Sequence, residues 1–256
     1  MAGIKFFSEN YIDNATLTLS SGGENAQFPL VNVNNASPSV KYRSTGSSVV
    51  IVAVLGQTRD IGAVAIAGDP SGTFVVASAS VKLSVTDDFS ESATINLDIG
   101  GAQSIGFATF APQSRRFIQI TLTGAEYVEL GALFVGQLVE LENQNLSIDS
   151  FAYGYKDLSQ SSRNRYGQVF VDALPLLKSL SGELQYCTKS EQETLDDLFI
   201  WHGTKRPLWI VVDSEGVGMN DGEFKLTCYG YLQEVPVWSA ASGQHYSCPI
   251  TVEQAT

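Results

Sequence analysis

Few residues in this chain stand at spacings that do chemistry. The stretch "GVGMNDG" spaces Gly216, Gly218 and Gly222 as GxGxxxG, one residue off a dinucleotide fingerprint, and it lies between two predicted strands where that fingerprint needs a strand and a helix. The longer stretch "DSEGVGMNDGE" offers oxygen donors at Asp213, Glu215, Asn220, Asp221 and Glu223. Their spacing is not that of a calcium-binding EF-hand loop, and a polar hairpin tip explains them. Asp87 and Asp88 read the same way. Cys187, Cys228 and Cys248 stand far apart with no CxxC pair, so zinc and thioredoxin-like chemistry fail on spacing, and buried reduced thiols are expected. There are two histidines, of which His202 falls at the end of a predicted helix, where a cation suits the dipole. No GxSxG, HExxH or P-loop pattern occurs, and nothing among the 27 acids nominates a glycosidase pair. The sequence reads as non-catalytic, with no cofactor and no metal.

Composition narrows the elements that carry these residues. Only 16% of the 256 residues are charged and 44% are hydrophobic, with 23 Gly and many Val, Ile and Thr, which suits β-structure with frequent turns. The net charge of −12 is spread along the chain: Asp and Glu outnumber Lys and Arg by 12 to 7 over residues 1–140 and by 15 to 8 over 141–256. That distribution argues against a phosphate-gripping nucleic-acid binder, which needs a clustered basic face. No apolar run reaches the ~18 residues of a membrane helix, and "MAGIKFFSENY" lacks the pattern of a signal peptide, so synthesis in a cytoplasm is expected.

From Thr16 to about Leu141 the pattern is almost all strand. "VVIVAVLG" (Val49 to Gly56) is a continuous apolar run and predicts a strand buried on both faces. "DIGAVAIAG" follows after a polar turn as a second strand, and "ASVKLSVTDD", "ATINLDIG" and "RRFIQITLTG" alternate with period two. Strands at this spacing predict a β-sandwich. Before them lies "FPLVNVNNASPSVKYRSTG" (Phe28 to Gly46), a loop in which Asn32, Asn34 and Asn35 can bond their own backbone. Ala26, Pro29, Asn32 and then Tyr42-Arg43-Ser44, followed by "VAVLG" and "DIGAVAIAG", resemble the discoidin-type, galactose-binding-like sandwich, with Tyr42 where that family has Trp. In members that bind sugars or lipids, loops at one end of the sandwich hold the ligand. The resemblance makes Tyr42 and Arg43 candidates for glycan contact, an aromatic face packing on a sugar ring and Arg donating to hydroxyls. The competing reading is that Tyr42 plugs the core and Arg43 braces the loop, since fold does not fix function.

Beyond residue 142 the composition changes, and the predicted domains are 1–142 and 143–256. "IDSFAYGYKDL" and "YGQVFVDALPLL" predict a long hairpin whose tip, "SQSSRNR", carries Arg163 and Arg165. "SLSGELQYC" is a third strand. A helix is predicted near 189–202, with Thr188 or Ser190 as N-cap, a capping box from Ser190 to Glu193, a stripe of Leu195, Leu198 and Phe199, and Gly203 as its stop. "RPLWIVVDSEG" and "GEFKLTCYGYLQEVP" form a second hairpin, and "HYSCPITVEQ" is a final strand. This order, with one helix after the third strand, resembles the tail-tube-like domain of tailed-phage tube, distal-tail and baseplate proteins, which implies a C-terminal β-sandwich or barrel with one packed α-helix beside the galactose-binding-like jelly roll.

That second resemblance implies a homo-oligomer, a sixfold ring at the end of a tail tube in a virion's tail tip, assembled in the host cytoplasm. Its partners would be the tail tube and tail-tip or baseplate hub proteins, and Arg163 and Arg165 would pair with acidic neighbours from an intersubunit arm. The sandwich would project outward to hold fibres or touch surface glycans. The order of the two domains is the reverse of the commonest distal-tail arrangement. The alternative is a carbohydrate-binding module or lectin with no virion context.

Overall fold

The structure, a computed structural model, describes residues 3–70, 75–90, 92–100, 104–141, 147, 150–212 and 226–256. The first ten strands are β1 (Ile4–Phe7), β2 (Thr16–Ser21), β3 (Tyr42–Arg43), β4 (Ser48–Ala67), β5 (Ser78–Ser84), β6 (Thr94–Gly100), β7 (Ile105–Thr123), β8 (Glu129–Leu130), β9 (Ala132–Gly136) and β10 (Leu138–Glu140). Then come β11 (Ala152–Asp157), β12 (Gln160–Arg163), β13 (Val169–Asp172), β14 (Leu176–Cys187), the helix α1 (Lys189–His202), β15 (Leu208–Val212), β16 (Cys228–Leu232), β17 (Ser239–Ser242) and β18 (His245–Gln254). The chain is mainly β, as its composition and turn spacing predict.

The first half is built on one ribbon. β4 and β7 pair from Ser48↔Thr123 to Ala67↔Ile105, with register breaks between Val54 and Arg59 and between Ile61 and Ala63. Such breaks bend a strand. Val49, Ile51, Ala53 and Leu55 from one limb of β4 share a core with Ile61, Val64 and Ile66 from the other, so the ribbon folds over on itself into a sandwich. β2 and β5 flank one limb, and β9 flanks the other. The sequence suggests two strands here, separated by a turn; the structure has one strand of 20 residues. It also moves the doubly buried segment. Ser48 to Leu55 alternates between buried and partly exposed, so "VVIVAVLG" is covered on one face only, whereas Ile61 to Ala67 is buried throughout.

The second half is an open sheet in the order β10-β1-β15-β16-β18-β14-β11, with β17 pairing β18. α1 covers one face. Its N-cap is Thr188, whose hydroxyl accepts from the Glu191 backbone N–H while the Glu191 carboxylate accepts from the Thr188 N–H. The capping box thus begins two residues earlier than Ser190. Leu195, Leu198 and Phe199 are buried against Leu184, Leu208 and Leu232, as their stripe predicts, at about 1.5–3 kcal/mol for each side chain fully buried. Gly203, with φ +52, ends the helix. The three cysteines are buried and form no disulfide with one another.

The other face of that sheet meets the sandwich. Ile4, Phe6, Leu208, Ile210 and Val212 point toward the helix side, while Phe7, Trp209 and Val211 point away. The second set packs on Ala63, Ala65 and Ala67 of β4, Phe107 of β7 and Phe134 of β9. This explains the runs "GAVAIA" and "LWIVV": alternate residues serve two different cores. It also bears on the boundary drawn at residue 142. β1 and β10 fall before it, yet β1 pairs with β10 and β15 inside the second sheet.

The long hairpin returns at Leu176, later than its sequence suggests. β11 pairs with the start of β14, and β12 with β13 forms a separate two-stranded tip. "GVGMNDG" and its acidic neighbours lie outside the described residues.

Candidate functional site

The structure places Tyr42 and Arg43 on β3, which pairs with β8. Tyr42 is 0% exposed, and its hydroxyl donates to the Gly23 carbonyl at 3.3 Å. A stacking platform needs an open ring face, and Tyr42 has none. It is the core plug of the competing reading. Arg43 donates through Nε and Nη2 to Glu129 Oε2 at 2.9 and 2.6 Å, and its guanidinium lies 4.7 Å from the Phe28 ring centroid and 4.8 Å from that of Tyr127. Lys41 Nζ completes the cluster, 2.6 Å from Glu129 and 3.4 Å from Asp69. Burial works against the Lys41 charge, but these two carboxylates outweigh it and hold its pKa above the ordinary lysine value. The three groups lock the loop end. Asn32 adds a bond from Nδ2 to the Lys41 carbonyl, and Asn35 Oδ1 accepts from the Ser37 N–H.

Open polar surface lies instead where the β4–β7 ribbon bends. Core alternation stops at Leu55 and resumes at Ile61, which leaves Gly56, Gln57, Thr58, Arg59 and Asp60 exposed. Arg59 stands opposite Arg115 in the ladder, and Asp60 stands opposite Ser114, whose hydroxyl donates to its carboxylate. Like charges directly opposite each other cost stability.

Each arginine of this rung lines a recess of its own. One, of about 650 Å³, is lined by Ser84, Val85, Thr86, Asp88, Ser90, Ser92, Gln113 and Arg115 among others. Its loop is preordered. Ser84 Oγ donates to the Asp88 carbonyl, Ser92 Oγ donates to the Leu83 carbonyl, and Asp88 Oδ1 accepts from the Ser90 N–H. Donation from the Ser90 backbone and hydroxyl holds the Asp88 carboxyl below its usual value, so it is ionised at neutral pH. The other recess, of about 270 Å³, is lined by Glu9, Tyr11, Asn14, Leu55, Gly56, Gln57 and Arg59. There the Arg59 guanidinium lies 5.3 Å from the Tyr11 ring centroid. Nothing local marks this face, because "GQTRD" and "PQSRR" read as ordinary polar turns. The pairing that brings two arginines together is a long-range register.

Arg163 and Arg165 lie on the hairpin tip, both exposed, with Arg165 stacked over Tyr166 at 4.7 Å. Around them Val169, Phe170, Val171, Leu174 and Leu176 are exposed as well. They are far from the ribbon bend in sequence and belong to a different sheet. Among the described residues no group of three or more His, Cys, Asp or Glu is placed to hold a metal ion, and no helix is long and apolar enough to cross a membrane.

No family model and no curated protein matches the chain. Solved structures do. One is a chitosan-binding module from a chitosanase/glucanase of Paenibacillus sp. IK-5, at 20% identity, covering 50% of this chain and 99% of that one, with a TM-score of 0.42. Another is the lectin domain of lectinolysin complexed with Lewis B antigen, at 16% identity, covering 50% and 96%, with a TM-score of 0.43. A third holds the CBM32-1 and CBM32-2 domains of Clostridium perfringens ZmpB in complex with GalNAc, at 7% identity, covering 52% and 36%, with a TM-score of 0.43. These likenesses are weak, and the β-sandwich of the first half stands on its own strand pairing.

Proposed function

We propose that this chain is a non-catalytic carbohydrate-binding protein that engages glycan at the bend of the β4–β7 ribbon. The observation that carries this reading is the Arg59–Arg115 rung, each arginine of which lines a polar recess. Two arginines at opposed backbone positions, each lining a polar recess, bring positive charge to a ligand rich in oxygen. Ser, Thr, Asp and Gln side chains beside them supply the mixture of donors and acceptors that hydroxyl groups need. The Tyr11 ring and the exposed Val85 give apolar surface for the C–H faces of a sugar. An acidic substituent on the glycan suits the arginine pair. Titration calorimetry with oligosaccharides selected on a glycan array tests this: Arg59→Ala and Arg115→Ala should each weaken binding about tenfold, and Tyr42→Phe should leave it unchanged.

A specific observation favours a second reading, that of a ring-forming tail-tip or baseplate component. The hairpin from Tyr155 to Leu176 exposes apolar side chains in a concentration found nowhere else among the described residues, with Tyr166 73% and Phe170 57% exposed. Among the described residues β10 and β11 are the terminal strands of the second sheet, and terminal strands invite strand addition. On this reading the arm, with Arg163 and Arg165, reaches a neighbouring copy, and the glycan face points outward from a virion. The two readings are compatible, one assigning the bend of the sandwich and the other the arm.

A further inference from the structure

A third recess, of about 220 Å³, lies where the two halves meet. Asn10, Asp13 and Asn35 line it from the first half; Trp201, His202 and Arg206 line it from the second. His202 is only 5% exposed, yet neither ring nitrogen has a hydrogen-bond partner. Burial pushes its pKa down to about 4, with the Arg206 charge acting in the same sense; backbone groups of Pro207, Arg206 and Ser8 lie near enough to favour the charged ring, short of hydrogen-bond geometry, and are outweighed. At neutral pH the imidazole therefore presents one N–H and one bare nitrogen. Leaving two such groups unsatisfied is costly in a folded protein.

The walls of the recess are fixed around this ring. Asn10 donates through Nδ2 to the Leu133 carbonyl and to Asp13 Oδ1, and its Oδ1 accepts from the Ile12 and Val135 N–H groups. The Tyr229 hydroxyl donates to the Ala36 carbonyl at 3.1 Å, tying the Asn-rich loop to the second sheet. Arg206 stacks on Trp201 at 4.3 Å, and Trp201 meets His202 edge to face at 4.8 Å. Burial raises the Asp13 pKa, and the nearby Arg206 charge opposes that rise. The rim therefore carries one acid and one base, and the floor carries a neutral donor–acceptor ring.

We infer that this junction recess is a second binding site, for a small polyhydroxylated molecule the size of a single sugar ring. A hydroxyl group both gives and accepts a hydrogen bond, which matches a neutral imidazole whose two nitrogens do the same. Neighbouring hydroxyls on the ring reach the Asp13 carboxylate and the Arg206 guanidinium together. A volume of about 220 Å³ holds one ring, so the site takes a free monosaccharide or a terminal residue. It is separate from the face at the ribbon bend and does not depend on that face binding glycan.

The test uses full-length protein with 15N-labelled histidine in an Arg59→Ala/Arg115→Ala background, so that the ribbon-bend face is disabled. The chain has only His202 and His245, so both rings can be followed. Free glucose, galactose, mannose, GlcNAc and GalNAc are titrated to 50 mM. The expected result is a saturable shift of the His202 ring nitrogens with at least one sugar, while His245 stays still. The rim variants Asp13→Asn and Arg206→Met, which leave the buried ring in place, should weaken that binding at least fivefold. The inference is overturned if none of the five sugars moves His202 in a saturable way, or if the shift persists unchanged in both rim variants.

Discussion

Phe7 of the second sheet and Phe134 of the sandwich lie ring to ring across the junction, their centroids 5.0 Å apart. Phe7 also stacks on Trp209 at 6.0 Å. A residue near the start of the chain thus joins two cores that the sequence pattern separates. Because β1 lies between β10 and β15, its removal would split the second sheet.

Phe7→Ala should cost about 3–5 kcal/mol, the range for truncating a buried aromatic. Urea denaturation followed separately by the fluorescence of the three tryptophans, Trp201, Trp209 and Trp238, all in the second half, and by far-ultraviolet circular dichroism reads the coupling. A single shared transition is expected in the wild type. Separate transitions are expected once the ring is removed.

Glu129→Ala should be more damaging than any change at a surface ion pair. It strands Arg43 and deprives Lys41 of its nearer partner in a largely buried cluster, and breaking such a pair costs about 3–5 kcal/mol. Arg43→Ala should likewise lower the melting temperature and leave glycan affinity at the ribbon bend unaltered, which separates bracing from ligand contact.

The pH dependence of stability should carry the signature of His202. The unfolded chain takes up a proton there near pH 6.5, and the folded chain only near 4. Between those values the unfolded state holds more protons, so stability falls as pH drops from 6.5 toward 4. The effect is on the order of 3 kcal/mol. His202→Phe should flatten that limb in urea titrations at pH 4.5 and 7. Lys178 acts in the same sense at high pH. It is buried, with its pKa lowered to about 8, so its contribution rises with pH above 8; the raised Cys228 and Cys248 thiols oppose it above pH 9.

Replacing Ser159–Leu174 with a short Gly-Ser turn should leave the fold intact, because β12 and β13 pair only with each other. Light scattering across a wide concentration range then tests the arm. The arm reading expects the wild type to climb toward a hexamer as concentration rises and the shortened protein to remain a monomer. A wild type that stays monomeric throughout removes spontaneous ring formation.

Local chemistry was legible from the residues alone. The stripe of Leu195, Leu198 and Phe199, the stop at Gly203 and the alternation of β5 and β7 all follow from period and caps. What stayed hidden depends on distant pairing. "VVIVAVLG" looks doubly buried because Val50, Val52 and Val54 are apolar, yet they face outward under partial cover. "IKFF" is too short to announce that it completes a sheet with residues two hundred positions away. Tyr42 and Arg43 were conspicuous by type, and their type served packing and bracing. Arg59 and Arg115 were inconspicuous, and a register no local pattern encodes sets them at opposed positions of the ladder.

The most direct test of the account is calorimetric titration of acidic and neutral oligosaccharides into the wild type and into the Arg59→Ala/Arg115→Ala protein. Glycan recognition at the ribbon bend requires saturable binding by the wild type, strongest for an acidic glycan, and its loss in the double variant with the melting temperature retained. Failure of every oligosaccharide to bind the wild type, or unchanged binding in the double variant, would contradict it.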